Sequence, residues 1–325
     1  MNSPRREFLK LATGASALLV VSRTAWTQAY PTRPVRWVVG FAPAGGNDIV
    51  ARLMSQWLSE RTGQQFLVEN RPGAGTNIAT EVVVNAPPDG YTLLLVGVSA
   101  AINATLYDNL KFNFIRDIAP AAGIMGIPLL MATNPSVPAK TVPEFIAYAK
   151  ANAGKVNMAS AGIGSGGHLA GELFNMLAGV NLIHVPYRGN GPALVGLLGG
   201  EVEVLFPTPP SAIEYIRNGK LRGLAVTGAT RLEALPDLPT VGEFVPGYEM
   251  SAWYGVGAPK GTPAAVIDKI NDEVNAGLAD PKMKARFANL GGVPMPMTPA
   301  EFGKLIADET EKWAKVIRMA NIKPA

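Results

Sequence analysis

The 325-residue chain contains no cysteine and only two histidines, His168 and His184. The first absence excludes disulfides, thiolate catalysis, zinc–cysteine sites and iron–sulfur clusters. The second leaves too few imidazoles for a multi-histidine metal centre, so neither a metal nor a cofactor is expected. Charged residues make up only 17% of the chain, well short of the composition of a disordered segment. The net charge of +4 is concentrated at the start, where Arg5, Arg6, Lys10 and Arg23 face Glu7 alone. The remaining body is nearly neutral and offers no basic field for nucleic acid or an anionic membrane surface.

What is present begins with a leader. Arg5-Arg6-Glu7-Phe8-Leu9-Lys10 precedes an apolar run from Leu11 to Val21, followed by Thr27-Gln28-Ala29. That is the n-region, h-region and small-residue cleavage site of an export signal. The run is too short for the roughly 20 residues of a spanning helix. Paired arginines followed by Phe-Leu-Lys resemble the bacterial twin-arginine signal. Residues 1–29 are therefore expected to be a signal peptide, cleaved after Ala29. No cysteine follows to take a lipid. The mature chain is expected in the periplasm as a soluble monomer that does not insert in the membrane.

From Val35 onward, apolar strand-like runs alternate with amphipathic helical ones. Val35–Phe41 reads as a strand buried on both faces. Ile49, Val50, Leu53, Met54, Trp57 and Leu58 form one stripe of a helix starting near Asn47 or Asp48. Further strands are expected at Gln65–Asn70, Tyr91–Ser99, Val156–Ser160, Leu182–Pro186, Val202–Phe206 and Leu221–Thr227. Thr141–Glu144 and Ser211–Glu214 have capping-box spacing, and Pro263, Pro281 and Pro299 suit first helical positions. Such alternation specifies an α/β fold of parallel sheets flanked by helices. Two segments break the rhythm, Ile118–Asn134 and Tyr248–Pro259, each longer than a usual strand of about 5–6 residues. They suit connectors between two lobes, predicted as residues 30–123 with 253–325 and residues 124–252.

The chemistry gathers at the expected strand ends. Phe41-Ala-Pro-Ala44-Gly45-Gly46-Asn47-Asp48 and Asn70-Arg-Pro-Gly-Ala-Gly-Thr-Asn77 each join a strand to a helix, where unpaired amides make anion sites. Ser160-Ala-Gly-Ile-Gly164-Ser165-Gly166-Gly-His168 opens another helix. It satisfies G-x-G-x-x-G, but no acidic residue follows the next strand to hold a ribose. Tyr187 offers an aromatic wall and Arg188 a bidentate partner for a carboxylate. Phe206 could add apolar burial at the end of the next strand. Gly97-Val98-Ser99-Ala100-Ala101 approaches a nucleophile elbow, with Ala101 in place of the final glycine. A serine hydrolase thus stays an alternative, although no aspartate is singled out as a triad member. The polar groups suit holding a ligand more than transforming one.

Several segments together resemble one family. They are Tyr30-Pro-Thr-Arg-Pro-Val35, Phe41–Asp48, Glu69-Asn-Arg-Pro-Gly-Ala-Gly75, Pro88-Asp-Gly-Tyr-Thr92 and His184-Val-Pro-Tyr-Arg-Gly189. Gly219–Ala225, Leu235–Thr240 and Ala258-Pro-Lys-Gly-Thr-Pro263 complete the set. In this order and spacing they resemble the Bug, or tripartite tricarboxylate transporter receptor, family of periplasmic solute-binding proteins. The resemblance implies a two-lobed "Venus flytrap" with two crossover strands as its hinge, closing on a small organic carboxylate. The site it implies comprises Phe41, Ala44, Gly45, Gly46, Asp48, Ser160, Gly164, Ser165, Gly166, His168, Tyr187 and Arg188. The loop reading adds Asn77, Ser99 and Phe206. The expected partners are membrane subunits of a tripartite transporter or, alternatively, a sensor ectodomain.

Overall fold

The computed structural model describes residues 30–107, 109–319 and 322–323, so the leader lies outside the described residues. The chain first lays down β1 (Val35–Val39), α1 (Gly46–Thr62), β2 (Phe66–Asn70), α2 (Asn77–Val84), β3 (Thr92–Gly97), α3 (Val98–Leu106), α4 (Phe114–Asp117) and β4 (Ile118–Pro128). Next come β5 (Leu130–Thr133), α5 (Val142–Ala151), β6 (Asn157–Ser160), α6 (Gly166–Ala178), β7 (Ile183–Pro186), α7 (Asn190–Gly199), β8 (Val204–Leu205), α8 (Pro209–Arg217) and β9 (Arg222–Val226). It finishes with β10 (Ser251–Pro259), α9 (Ala264–Ala279), α10 (Pro281–Asn289), β11 (Val293–Pro294) and α11 (Pro299–Met319).

These elements form two sheets, ordered β11-β4-β10-β3-β1-β2 and β7-β6-β8-β5-β9. Each is an α/β sheet built on a parallel trio, β2-β1-β3 in the first and β7-β6-β8 in the second. The strands that carry the chain between sheets run antiparallel to their neighbours. β10 lies between β3 and β4, and β5 lies between β8 and β9. β4 stays in the first sheet through Pro128, and Leu129 alone separates it from β5 in the second. The return is complete where Ser251 pairs with Pro128.

Strand alternation decides which side chains reach the core. In the second sheet Met158, Val204 and Phe206 pack with Phe145, Leu169 and Phe174 of α5 and α6. Ala159 and Leu205 point the other way, toward Ala193 and Leu197 of α7 and Ala212 of α8. On α1 the helical repeat, with neighbours three and four residues apart on one face, buries Val50, Ala51, Met54 and Leu58 in one stripe.

Three local readings change. Pro263, read as a first helical residue, is instead the N-cap of α9, which begins at Ala264. The strand read as Tyr91–Ser99 ends at Gly97, because Val98 begins α3 and takes Ser99 into a helix. The capping box read at Ser211–Glu214 gives way to an earlier start, with Thr208 as N-cap and Pro209 at the first helical position. Proline there has a preset φ and no amide to leave unpaired, so it outweighs the later spacing.

Candidate functional site

The β1–α1 loop is shaped by Asp48, which is 4% exposed. Its Oδ2 accepts the Ala44 amide at 3.1 Å and Arg52 Nε at 2.9 Å, while Oδ1 accepts Asn70 Nδ2 at 3.0 Å. Asn70 Nδ2 also donates to the Phe41 carbonyl. Burial alone would raise the Asp48 carboxyl. The hydrogen bonds from Arg52, Ala44 and Asn70 outweigh it and hold the group below the usual carboxylate range. They also hold Ala44 in the left-handed region at φ 65°, a conformation costly for a residue with a Cβ. Asp48 therefore works on the loop, and its oxygens are occupied.

The facing loop of the second sheet is backed by imidazoles. His184 Nε2 lies 2.6 Å from Ser160 Oγ, and the Ser160 hydroxyl oxygen accepts the Gly162 amide. His168 stacks on His184 with ring centroids 3.9 Å apart, and its Nδ1 accepts the Gly164 amide at 3.3 Å. Ser165 caps α6 by accepting the His168 amide. Burial, followed by the neighbouring His184, lowers the His168 pKa to about 3, and burial lowers that of His184 to about 4. Both rings are thus neutral near neutral pH and serve as rigid backing for the loop.

The two loops meet. The Ala42 amide donates to the Arg188 carbonyl at 3.1 Å across the cleft. A Cβ on Gly46 would lie 2.0 Å from Thr208 Oγ1, and one on Gly164 would lie 2.2 Å from Asn103 Oδ1. Glycine at these two positions leaves room for the Thr208 and Asn103 side chains to pack against the loop backbone.

Five helix starts converge on the enclosed space between them. Asn47 of α1 and Ser99 of α3 come from one side; Ser165 and Gly166 of α6, Asn190 of α7 and Thr208 of α8 come from the other. The N-terminal ends of α1, α3, α7 and α8 carry no side-chain cap, so their first amides are free for a guest. No charged side chain lines this space; Tyr254 supplies a further hydroxyl and Trp253 an apolar wall. Its volume is about 30 Å³. Past Phe41 and Ala161, which line both, lies an outer cavity of about 530 Å³ walled by residues 72–76 and 186–188.

The sequence-derived residues distribute as follows. Phe41, Ser99, Ser165 and Gly166 line the inner space, and Tyr187 and Arg188 line the outer cavity. Gly45 and Gly46 cap and begin α1, and Ala44 is exposed on its loop. Asp48, Ser160 and His168 stand behind the loops, and Gly164 touches Asn103. Asn77 accepts from Asn103 Nδ2. Phe206 is 1% exposed and packs on Phe174, because alternation turns it toward α6. Ser99 has neither imidazole beside it in the inner space, since neither histidine lines it. Asn47, Asn190, Thr208 and Tyr254 also line the inner space; Asn47, Asn190 and Thr208 fall in strand-end loops that the sequence offers as candidates, although none of the four stands among the expected site residues.

A two-lobed α/β fold closed on a ring of helix N-termini defines a solute-binding receptor rather than an enzyme. Residues 50–322 match the model of the tripartite tricarboxylate transporter family receptor, and the chain belongs to this family of periplasmic binding proteins. It is 37% identical to protein BugT of Bordetella pertussis (strain Tohama I) over 297 residues, 90% of this chain and 91% of BugT. Among solved structures it is similar to R. palustris Rpa4515 with adipate, with a TM-score of 0.89 and 34% identity over 91% of this chain and 100% of that one. MatC from Rhodopseudomonas palustris with bound malate gives a TM-score of 0.85 and 32% identity, over 89% of this chain and 100% of that one. No helix among the described residues is long and apolar enough to cross a membrane.

Proposed function

We propose that the chain captures a small organic carboxylate between its lobes and presents it to membrane subunits of a tripartite tricarboxylate-type transporter. One observation carries this reading: helix N-termini from both sheets point into a single space that holds no charged side chain. Such an end favours an anion by about 0.3–1 kcal/mol, so five supply only a few kcal/mol. A micromolar complex needs roughly 8 kcal/mol, and hydrogen bonds to backbone amides and apolar burial against Phe41 and Trp253 make up the rest. The inner space, which by volume holds only a water or two, takes the carboxyl end. The body of the guest passes Phe41 and Ala161 toward Tyr187 and Arg188. The adipate and malate bound to the two solved relatives support this ligand class.

In this reading residues 1–29 direct export to the periplasm by the twin-arginine route. The lobes follow the division expected from the sequence, 30–123 with 253–325 and 124–252, except that the pairing of Ser251 with Pro128 favours setting the bounds at 128/129 and 250/251, where β4 and β10 leave the first sheet. Calorimetric titration with malate, adipate, citrate, aspartate, benzoate and nicotinate tests it. Saturable heat with at least one acid, together with ligand-induced compaction in X-ray scattering, is expected. Absence of heat with all six would overturn the reading.

A further inference from the structure

Tyr254 is 2% exposed, and its hydroxyl is buried without a hydrogen-bond partner. Buried polar groups are otherwise paired almost without exception, because an orphan forfeits its hydration for nothing. Thr208 Oγ1, which accepts Asn190 Nδ2 at 3.2 Å, stands near enough to act on the phenol, but no hydrogen bond of sound geometry joins the two. Burial raises the phenol well above its ordinary range, and the nearby Thr208 hydroxyl offsets only part of that. The group is therefore a protonated phenol that lacks a well-formed hydrogen bond inside the protein.

Its location is equally specific. Tyr254 lies on β10, opposite Gly97 of β3 and Met125 of β4. The β4–β10 ladder slips in register between Tyr254 and Gly255, and irregularities of this kind re-aim side chains beside functional sites. The ring lines the inner space, and a Cβ on Gly46 would lie 3.2 Å from its hydroxyl. Three bodies thus meet at this one oxygen: the start of α1, the N-cap of α8 and the strand that returns through the hinge.

Resting on the proposed carboxylate capture, we infer that Tyr254 is a specificity-determining residue whose hydroxyl donates to the bound carboxylate and completes its pairing only when a guest is present. A guest that brings an anionic oxygen to this point satisfies the orphan and ties the hinge strand to both facing helix starts. A guest of the same shape without an acceptor there leaves the hydroxyl unpaired and is rejected. Tyr254 thereby reads the head of the ligand, while the outer cavity accommodates the body.

The test is Tyr254→Phe, which removes the oxygen and keeps the ring. Thermal unfolding of the ligand-free protein is measured first, then calorimetric titration of wild type and variant with adipate and with malate. The expected result is an unfolding midpoint equal to or above wild type, since an unpaired polar group has been removed. Affinity for whichever acid wild type binds should fall about tenfold, the loss of one hydrogen bond to a charged acceptor. Equal affinity in the variant would overturn the inference and leave carboxylate capture standing. A lowered midpoint with unchanged affinity would also overturn it, by showing that the hydroxyl is paired within the protein. A wild type that binds neither acid, nor any other of the six, would fail the capture reading itself and take this inference with it.

Discussion

The hydroxyl of Thr227 accepts the Leu129 amide at 2.7 Å, at the one residue that separates the two sheets. The same oxygen donates to the Met250 carbonyl at 2.6 Å, so both crossings of the hinge are fastened to one fully buried side chain. Backbone bonds from the Thr227 amide to Leu129 and from the Met250 amide to Thr227 flank it. Thr227→Val keeps the shape and orphans the Leu129 amide. Its unfolding free energy should fall by about 1–3 kcal/mol, read as a lower urea midpoint at unchanged m-value. An unaltered midpoint would show that the hinge does not depend on this fastening.

Gly46 is placed to test closure of the two lobes on each other. Its added methyl would meet Thr208 Oγ1 of the second lobe at 2.0 Å but the Tyr254 hydroxyl of the first lobe only at 3.2 Å, so the severe obstacle arises where the lobes meet. Gly46→Ala should leave folding intact and weaken acid binding by roughly 5–150-fold, the range of a 1–3 kcal/mol overpacking penalty. X-ray scattering should then show no compaction at ligand concentrations that compact the wild type.

The strand-end loops were legible because glycine and serine before an apolar helix have few other uses. The α/β architecture followed from the alternation of two hydrophobic periods. Phe206 shows the limit of reading by position alone: it sits at a strand end, yet a two-residue strand turns it to the α6 face and into the core. Asp48 shows another limit, since a carboxylate in a glycine loop can face a ligand or be consumed by its own loop, and only the partners decide. Tyr254 was hidden inside an apolar connector, where the sequence shows a buried ring but not whether its hydroxyl finds an acceptor. Thr208 and Asn190 sit in loops that sequence marks as strand ends, but that they share one space with Asn47 and Ser99 shows only when the two sheets are brought together.

Asp48→Asn follows from this difference. The amide can keep one acceptor for Asn70, but its nitrogen cannot accept from Ala44 or Arg52. Arg52 is about half exposed, so most of the loss should come from the loop rather than from the ion pair. Stability should fall by about 1–2 kcal/mol. Acid affinity should also weaken, because nothing then holds Ala44 at positive φ. Proteolytic nicking within residues 41–46 of the variant, absent from wild type, would locate the damage. Full affinity with an intact loop would show that the carboxylate is dispensable there.

Acid should loosen the second-lobe loop through its paired imidazoles. In the folded chain His168 and His184 titrate near about 3 and about 4, against an ordinary value of 6.5. Below pH 6.5 the unfolded chain binds protons at both residues and the folded chain does not, so stability declines as pH falls. Each histidine contributes a slope of up to about 1.4 kcal/mol per pH unit, and the decline ends where the folded rings themselves protonate. Glu172, 3.7 Å from His168 Nε2 and raised by its own burial, takes up a proton more readily when folded and offsets part of the loss. The lowered carboxylates, such as Asp48 and Glu273, lose their contribution only below about pH 4.5. Between pH 6.5 and 5 the histidines therefore dominate. Urea titrations at half-unit steps should show the decline in wild type and about half the slope in His184→Gln. A flat profile across that window would mean that the two rings are protonated, or free to move, in the folded protein. In the folded chain His168 Nδ1 protonates only at about pH 3, so the Gly164 amide keeps its acceptor, and affinity for the carboxylate should hold, across the pH window in which stability declines.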